Sequence, residues 1–243
     1  MYRVRFSLPK GHWASYRYLD LIHDALVTGW IAAGATPDQL IGPASEPWNF
    51  AALGYHRRQE GQVHSLVVST PSPILAQMLA RLVPGAIRYA RAATAELFDF
   101  STAQPSPEPP PLIPLEQGVL GVLTLSPLAL RDPRHSGKRW HTRWGDCDLA
   151  AAINGRLSRI AQRPVALSIQ PDSLYLRANS HHSVLVSTKQ DKQGRPTFII
   201  GLEGPLVLAG RREDLLLAWY AGLGEKTRNG FGCIGLAEQG VGR

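Results

Sequence analysis

Gly222-Leu223-Gly224-Glu225-Lys226-Thr227-Arg228-Asn229-Gly230-Phe231-Gly232 is the stretch around which the rest of the chain is organised. It follows an apolar, helix-like run (Leu215, Leu216, Leu217, Trp219, Tyr220) and precedes a short strand-like segment, Cys233 to Leu236. The order is therefore helix, glycine-rich loop, strand. Glycine serves where backbone takes positive φ or approaches a ligand closely. Successive free N–H groups in such a loop form an anion-binding concavity, and Lys226 and Arg228 add charge that pairs with phosphate. Gly224-Glu225-Lys226-Thr227 looks like the end of a P-loop, but the opening glycine is absent. A dinucleotide fingerprint would follow a strand and open a helix, the reverse of the order here. A bare helix-to-strand turn is the ligand-free alternative, and four glycines exceed what such a turn needs.

Composition points the same way. The chain has 243 residues, enough for one large domain or two small ones. A hydrophobic content of 44% with 19% charged residues describes a packed protein rather than a disordered one. The net charge of +7 and pI near 9.7 call for a polyanionic partner. Arginine supplies 21 of the 26 basic residues, and its planar fork both grips phosphate and stacks on bases. A GC-rich genome would enrich arginine as well, so composition leaves both causes open. Cys147 and Cys233 are single and far apart, as in a reduced cytosolic protein, with no paired metal-ligand spacing. The first residues alternate like a strand and lack a signal-peptide core. No apolar run approaches the ~20 residues of a membrane span. A cytoplasmic location without membrane attachment is expected.

Working outward from the loop, the first half reads as a βαββαβ unit. A strand over 2–8 (Tyr2, Val4, Phe6, Leu8 alternating with polar residues) precedes a helix over 15–33 striped by Leu19, Ile22, Leu26 and Trp30. A strand near 49–57, a turn at Glu60-Gly61 and a returning strand through Val63–Val68 follow. Ser72-Pro73 opens a second helix, and a last strand falls within 86–99. This is the ferredoxin-like pattern. Residues 101–114 hold six prolines, a density that excludes helix and central strand. The expected division is thus 1–100, a proline-rich linker at 101–115, and 116–243. In the second half we expect a strand at 119–125 and a helix from about Asp146 to Ala161, capped by Asp146. Strands are expected at 173–178, 183–188, 197–201 and 206–208, with a hairpin at Lys192-Gln193-Gly194, before helix 212–221 and the glycine loop.

Gly-apolar-Gly, five residues including Lys and Arg, then Gly-aromatic-Gly, near the end of a basic chain of this length, resembles the CRISPR repeat-processing endoribonucleases. The loop is the specific part of the likeness; elsewhere the match is one of layout. The resemblance implies an α+β fold of two tandem ferredoxin-like (RRM-like) domains, with the loop of the second domain touching RNA. It implies cleavage of precursor CRISPR RNA at the 3′ base of a repeat hairpin, retention of the product, and entry into an effector complex with other subunits. The chemistry it implies is metal-independent and cofactor-free: a ribose 2′-hydroxyl attacks the adjacent phosphate and leaves a 2′,3′-cyclic phosphate.

Charge is densest over 131–163, where Arg131, Arg134, Lys138, Arg139, Arg143, Arg156, Arg159 and Arg163 face only Asp132, Asp146 and Asp148. Trp140 and Trp144 are interleaved, a combination suited to stacking on unpaired bases. Arg156, Arg159 and Arg163, at i, i+3 and i+7, would present three forks from one helix face; a solvated helix face is the bland alternative. Residues 131–145 read as an arginine-rich helical insertion, which resembles a finger of the type IV CRISPR members. RNA contacts are assigned to Lys138, Arg156, Arg159, Arg163, Gly222, Gly224, Lys226, Arg228, Gly230 and Gly232.

Transesterification needs a base, an acid and cationic stabilisation of the phosphate. The resemblance makes His23 on the first helix the leading proton-transfer candidate, since many family members place such a histidine on or just after this helix, often with a tyrosine nearby; Tyr16 lies two turns away on the same side. His23 also lies inside the apolar stripe, where a packed core histidine is the alternative. His12, His56 and His141 are further candidates, and Arg139 and Arg143 would serve a histidine-free scheme. His135, His141, Asp146 and Cys147 fit no standard zinc spacing, so no metal is expected. The rival reading is a non-catalytic RRM-like RNA-binding subunit of a ribonucleoprotein complex; a weaker third is an RNA-modifying protein.

Overall fold

The computed structural model describes residues 1–57, 60–132 and 140–239. Lys138 and Arg139, with most of the expected arginine-rich insertion, lie outside the described residues.

The first half builds a five-stranded antiparallel sheet and the second a four-stranded one, each packed against helices. The first half contains β1 (Tyr2–Ser7), β2 (Ala14–Tyr16), α1 (Leu19–Ala32), α2 (Pro37–Leu40), β3 (Asn49–Arg57), β4 (Glu60–Thr70) and α3 (Pro73–Leu79). It continues with β5 (Arg88–Arg91), β6 (Glu96–Asp99) and β7 (Gln104–Pro107). Its sheet runs β3–β4–β1–β7, with β2 prolonging the β1 edge of β4. The second half contains β8 (Gly118–Thr124), α4 (Leu149–Ala161), β9 (Ser168–Pro171), α5 (Ser173–Ala178), β10 (Ser183–Gln190), β11 (Pro196–Leu202), β12 (Pro205–Gly210), α6 (Arg212–Ala221) and β13 (Ile234–Leu236). Its sheet runs β9–β12–β8–β13. Both orders are those of the ferredoxin-like unit, and the β10–β11 hairpin is inserted into the second. Among the described residues no helix is long and apolar enough to cross a membrane.

Several expected elements fall elsewhere. The fourth strand of the first unit is not within 86–99, which folds into the separate β5–β6 hairpin. It is β7, inside the segment expected to be a proline-rich linker, paired with β1 in the register Val4↔Pro107 and Phe6↔Pro105. All four of its residues are exposed. It is an edge strand, the position in a sheet where missing proline N–H groups do no damage. The stretch 173–178 is the helix α5, not a strand. Asp172 caps it, its carboxylate accepting from the Leu174 and Tyr175 amides at 2.8 and 3.0 Å. α4 is capped by Asp148, which accepts from the Ala151 amide at 2.9 Å, rather than by Asp146. Tyr16 belongs to β2 and stands outside α1, so its expected helical spacing to His23 does not apply.

The two cores touch. Phe6, Leu26, Trp30, Trp48 and Phe50 centre the first, and Val122, Ile153, Leu157, Leu208 and Trp219 the second. A smaller cluster of Ala51, Leu53, Val67, Leu125 and Cys233 bridges them. The inserted hairpin reaches across: Val186 and Ile199 pack on the first core, and Gln190 Nε2 donates to the Tyr18 hydroxyl at 3.1 Å.

Candidate functional site

A helix leaves its last carbonyls without partners along its own axis, and the C-terminal end of α6 shows how they are met. Asn49 Nδ2 and Ser69 Oγ, both from the first half, donate to the Tyr220 carbonyl at 2.7 and 3.1 Å. Arg156 of α4 donates from Nη2 to Ala221 O at 3.2 Å and from Nη1 to Gly222 O at 2.9 Å. The same Nη2 donates to Thr227 Oγ1 at 2.8 Å, and the Thr227 hydroxyl donates onward to Trp48 O at 3.2 Å. Burial pushes the Arg156 guanidinium down to about 10, and nearby Arg159 and Arg228 push it the same way. It remains charged at neutral pH. One arginine thus joins α4, the end of α6 and the glycine loop, so the basic helix and the loop lie side by side.

The four glycines answer to packing. Gly230 has φ +84, and a Cβ there would come within 2.9 Å of the Phe50 ring; at Gly232, φ +71, it would fall on the Leu223 carbonyl. Gly222 and Gly224 are as tightly enclosed, by Gly232 O and Ala129 O respectively. Much of the loop's N–H capacity is also used internally. Leu223 N donates to Gly232 O, Glu225 N to Ala129 O, Gly232 N to Pro127 O, and Asn229 N and Gly230 N to carbonyls within the loop. The amides of Leu223, Glu225, Asn229, Gly230 and Gly232 are thus taken by protein carbonyls, and the turn they fix also presents side chains.

Those side chains are cationic. Lys226 is exposed and held in the left-handed region at φ +59. Arg159 on α4 is exposed. Arg228 is half-buried and donates to Leu40 O and Gly42 O at 3.2 and 3.3 Å. The three-forked face expected on α4 does not form. Arg156 turns inward to carbonyls, and α4 ends at Gln162 (φ +53), beyond which Arg163 pairs with Asp214 at 2.6 Å and Glu213 at 3.3 Å. Arg143 is exposed just before the turn that leads into α4.

On the other side of the loop stands α1. The His23 ring stacks on Trp48, with centroids 5.6 Å apart and planes at 22°. Trp48 is fully buried, and its backbone carbonyl is the one that Thr227 binds. His23 Nδ1 lies 3.1 Å from Asp24 Oδ1, and the side chain retains 14% exposure. Tyr16 is buried, and burial drives its phenol far above the ordinary value, so it stays neutral. It lines a cleft of about 530 Å³ between the halves with Arg17, Leu53, Pro127, Val186 and Gly230. His141 is buried too.

Sequence reading missed Trp48, Asn49, Asp24 and the cleft. Trp48 closes the loop that precedes β3 and Asn49 opens that strand, and neither carries a local signal of its remote partners. Asp24 sits next to His23, and adjacent helix positions do not ordinarily face one another.

The model of the family described as CRISPR associated protein Cas6, C-terminal, matches residues 107–236. Three solved structures are similar over nearly the full length. One, described as a Cas6-related gene product from Pyrococcus furiosus, has TM-score 0.69 and 15% identity and covers 97% of this chain and 98% of that one. An "RAMP protein binding different RNA substrates" has TM-score 0.67 and 16% identity, with 97% and 99% covered. A "CRISPR associated protein Cas6" has TM-score 0.61 and 12% identity, with 97% and 98% covered. At these identities the likeness is one of fold, the tandem ferredoxin-like arrangement described above. No curated protein matches the chain significantly.

Proposed function

The chain belongs to the CRISPR associated protein Cas6 family, and from that premise we propose that it is a metal-independent endoribonuclease that cuts precursor CRISPR RNA at the 3′ base of the repeat hairpin. The observation that carries this reading is the link between a proton-transfer group and a cationic loop: His23 stacks on the tryptophan whose carbonyl anchors Thr227, the residue between Lys226 and Arg228 that Arg156 ties to α4.

The roles follow from the chemistry. His23 Nε2 takes the proton of the 2′-hydroxyl upstream of the cut, and that oxygen bonds to the adjacent phosphorus. The bond from phosphorus to the 5′-oxygen breaks, and an acid returns a proton to the departing oxygen. Lys226, Arg159 and Arg228 neutralise the stem's phosphates around the crowded intermediate. Tyr16, a neutral phenol in the cleft, donates a hydrogen bond and accepts no proton. The product hairpin is retained and joins other effector subunits. The domain division belongs to the same proposal and falls after β7 and Glu108, before β8.

A second reading, RNA binding without cleavage, is favoured by the depth of His23 against Trp48. Labelled repeat RNA incubated with the protein in EDTA separates the two. Two products with a cyclic phosphate on the upstream fragment support the nuclease. Tight binding without cleavage supports the second reading, and absence of affinity for structured RNA removes both. His23→Ala should abolish cleavage while leaving RNA affinity intact; unchanged cleavage excludes His23.

A further inference from the structure

The imidazole of His23 is constrained on more than its stacked face. Nδ1 lies 3.1 Å from Asp24 Oδ1. The other carboxylate oxygen of Asp24 accepts from Arg91 Nη2 at 3.4 Å. Arg91 comes from the β5–β6 hairpin, outside the main sheet, and reaches back onto α1. The same Nη2 is 3.2 Å from Asp20 Oδ1, and Nη1 is 3.7 Å from Glu96 Oε2. Glu96 is itself held by the Thr94 hydroxyl at 2.5 Å. Arg91 therefore sits among three carboxylates on two elements, and its own side chain is only 19% exposed. Among the described residues no protein group is bonded to His23 Nε2.

We propose that Asp24, braced by Arg91, is a positioning residue that holds His23 in the tautomer with Nδ1 protonated and Nε2 unprotonated. A carboxylate can only accept at this contact, so the imidazole nitrogen facing it carries the proton. The neutral ring then has one lone pair, on Nε2, and stacking on Trp48 fixes the direction in which it points. A carboxylate that orients a histidine acts through that histidine without touching the reacting atoms. The hairpin β5–β6 gains a purpose by this assignment: it delivers the cation that keeps the Asp24 carboxylate turned toward His23. The role in cleavage rests on the reading of His23 as general base; the tautomer assignment does not.

The test uses full-length protein labelled with ¹⁵N in histidine, with the His23 signals identified by their loss in His23→Gln. Long-range nitrogen–proton correlation at a pH where the ring is neutral should show a pyrrole-like Nδ1 and a pyridine-like Nε2. Asp24→Asn should remove that preference, because an amide can accept or donate. Arg91→Met should weaken it, and Arg91→Lys should restore it in part. In single-turnover assays Asp24→Asn should slow cleavage about tenfold or more at unchanged RNA affinity. A His23 that keeps Nδ1 protonated in both Asp24→Asn and Arg91→Met overturns the proposal, as does one protonated at Nε2 in the unaltered protein. If Asp24→Asn fails to fold, Arg91→Met carries the same test from the far end of the chain of contacts. Full cleavage by His23→Ala beside a confirmed tautomer would remove the nuclease reading of His23 and leave the positioning contact standing.

Discussion

Replacing Arg156 with alanine removes three hydrogen bonds at once and leaves the Ala221 and Gly222 carbonyls unanswered. Bonds from a charged donor contribute more than neutral ones, and orphaned buried acceptors add to the loss. Arg156→Ala should cost about 3 kcal/mol in urea unfolding, and Arg156→Lys should recover only part, since an ammonium cannot fork to acceptors on two elements. Glycine substitutions separate strain from packing. Gly232→Ala meets both a positive φ and the Leu223 carbonyl and should lose about 3 kcal/mol or more. Gly194→Ala, at φ +76 with open space around it, should lose only about 1 kcal/mol. Equal losses at the two sites would show that the loop glycines answer to φ alone. At this scale the sequence singles out the glycines and the arginine on which the loop's packing turns, but not the partners they meet. A residue type limits which bonds it can make; which partner it meets depends on chain that is distant in sequence.

Among elements, β7 is a short, exposed edge strand, and its anchor is ionic. Glu108, directly after β7, accepts from Arg3 Nε at 2.6 Å and from Arg5 Nε at 2.7 Å. The Arg3 guanidinium also lies 4.0 Å over the Trp219 ring, tying the first sheet to α6. Burial raises the Glu108 carboxyl, but the guanidinium groups of Arg3 and Arg5 prevail and hold it below its ordinary 4.5. A carboxylate depressed in the folded state stabilises above that ordinary value, and its contribution is lost as pH falls through the folded one. Glu108→Gln should therefore be less stable than the unaltered protein at neutral pH by about 3 kcal/mol, because Arg3 is left buried without its partner. The gap should close as the buffer is taken below pH 4.5, read from urea midpoints at each pH. A gap that stays constant with pH would mean that the amide replaces the carboxylate's bonds. Element prediction failed at β7 and α5 for related reasons. Proline density argues against a central strand and says little of an edge, and the capping aspartate before 173 carries more information than the alternation after it.

For the whole molecule the deciding quantity is where the excess of positive charge is presented. Lys226 and Arg159 are exposed on adjacent elements joined by Arg156. Binding of repeat RNA should weaken steeply with salt, because neutralised phosphates release counterions. Lys226→Glu and Arg159→Glu should each weaken binding across RNA sequences and lower the slope of log affinity against log salt by about 1. An unchanged slope in both variants would place the RNA on another face. What the sequence determined unaided was the class of each half, the order of most elements, the glycine loop between helix and strand, and an excess of positive charge. These rest on periodicity, glycine and charge, which are properties of neighbouring residues. Only the tertiary structure decided that the proline-rich segment supplies the fourth strand, that Arg156 faces inward, and that Asp24 and Trp48 grip His23. Each of these depends on which distant carbonyl, ring or carboxylate arrives at the same place, and that is fixed when two sheets pack and every buried polar group must find a partner.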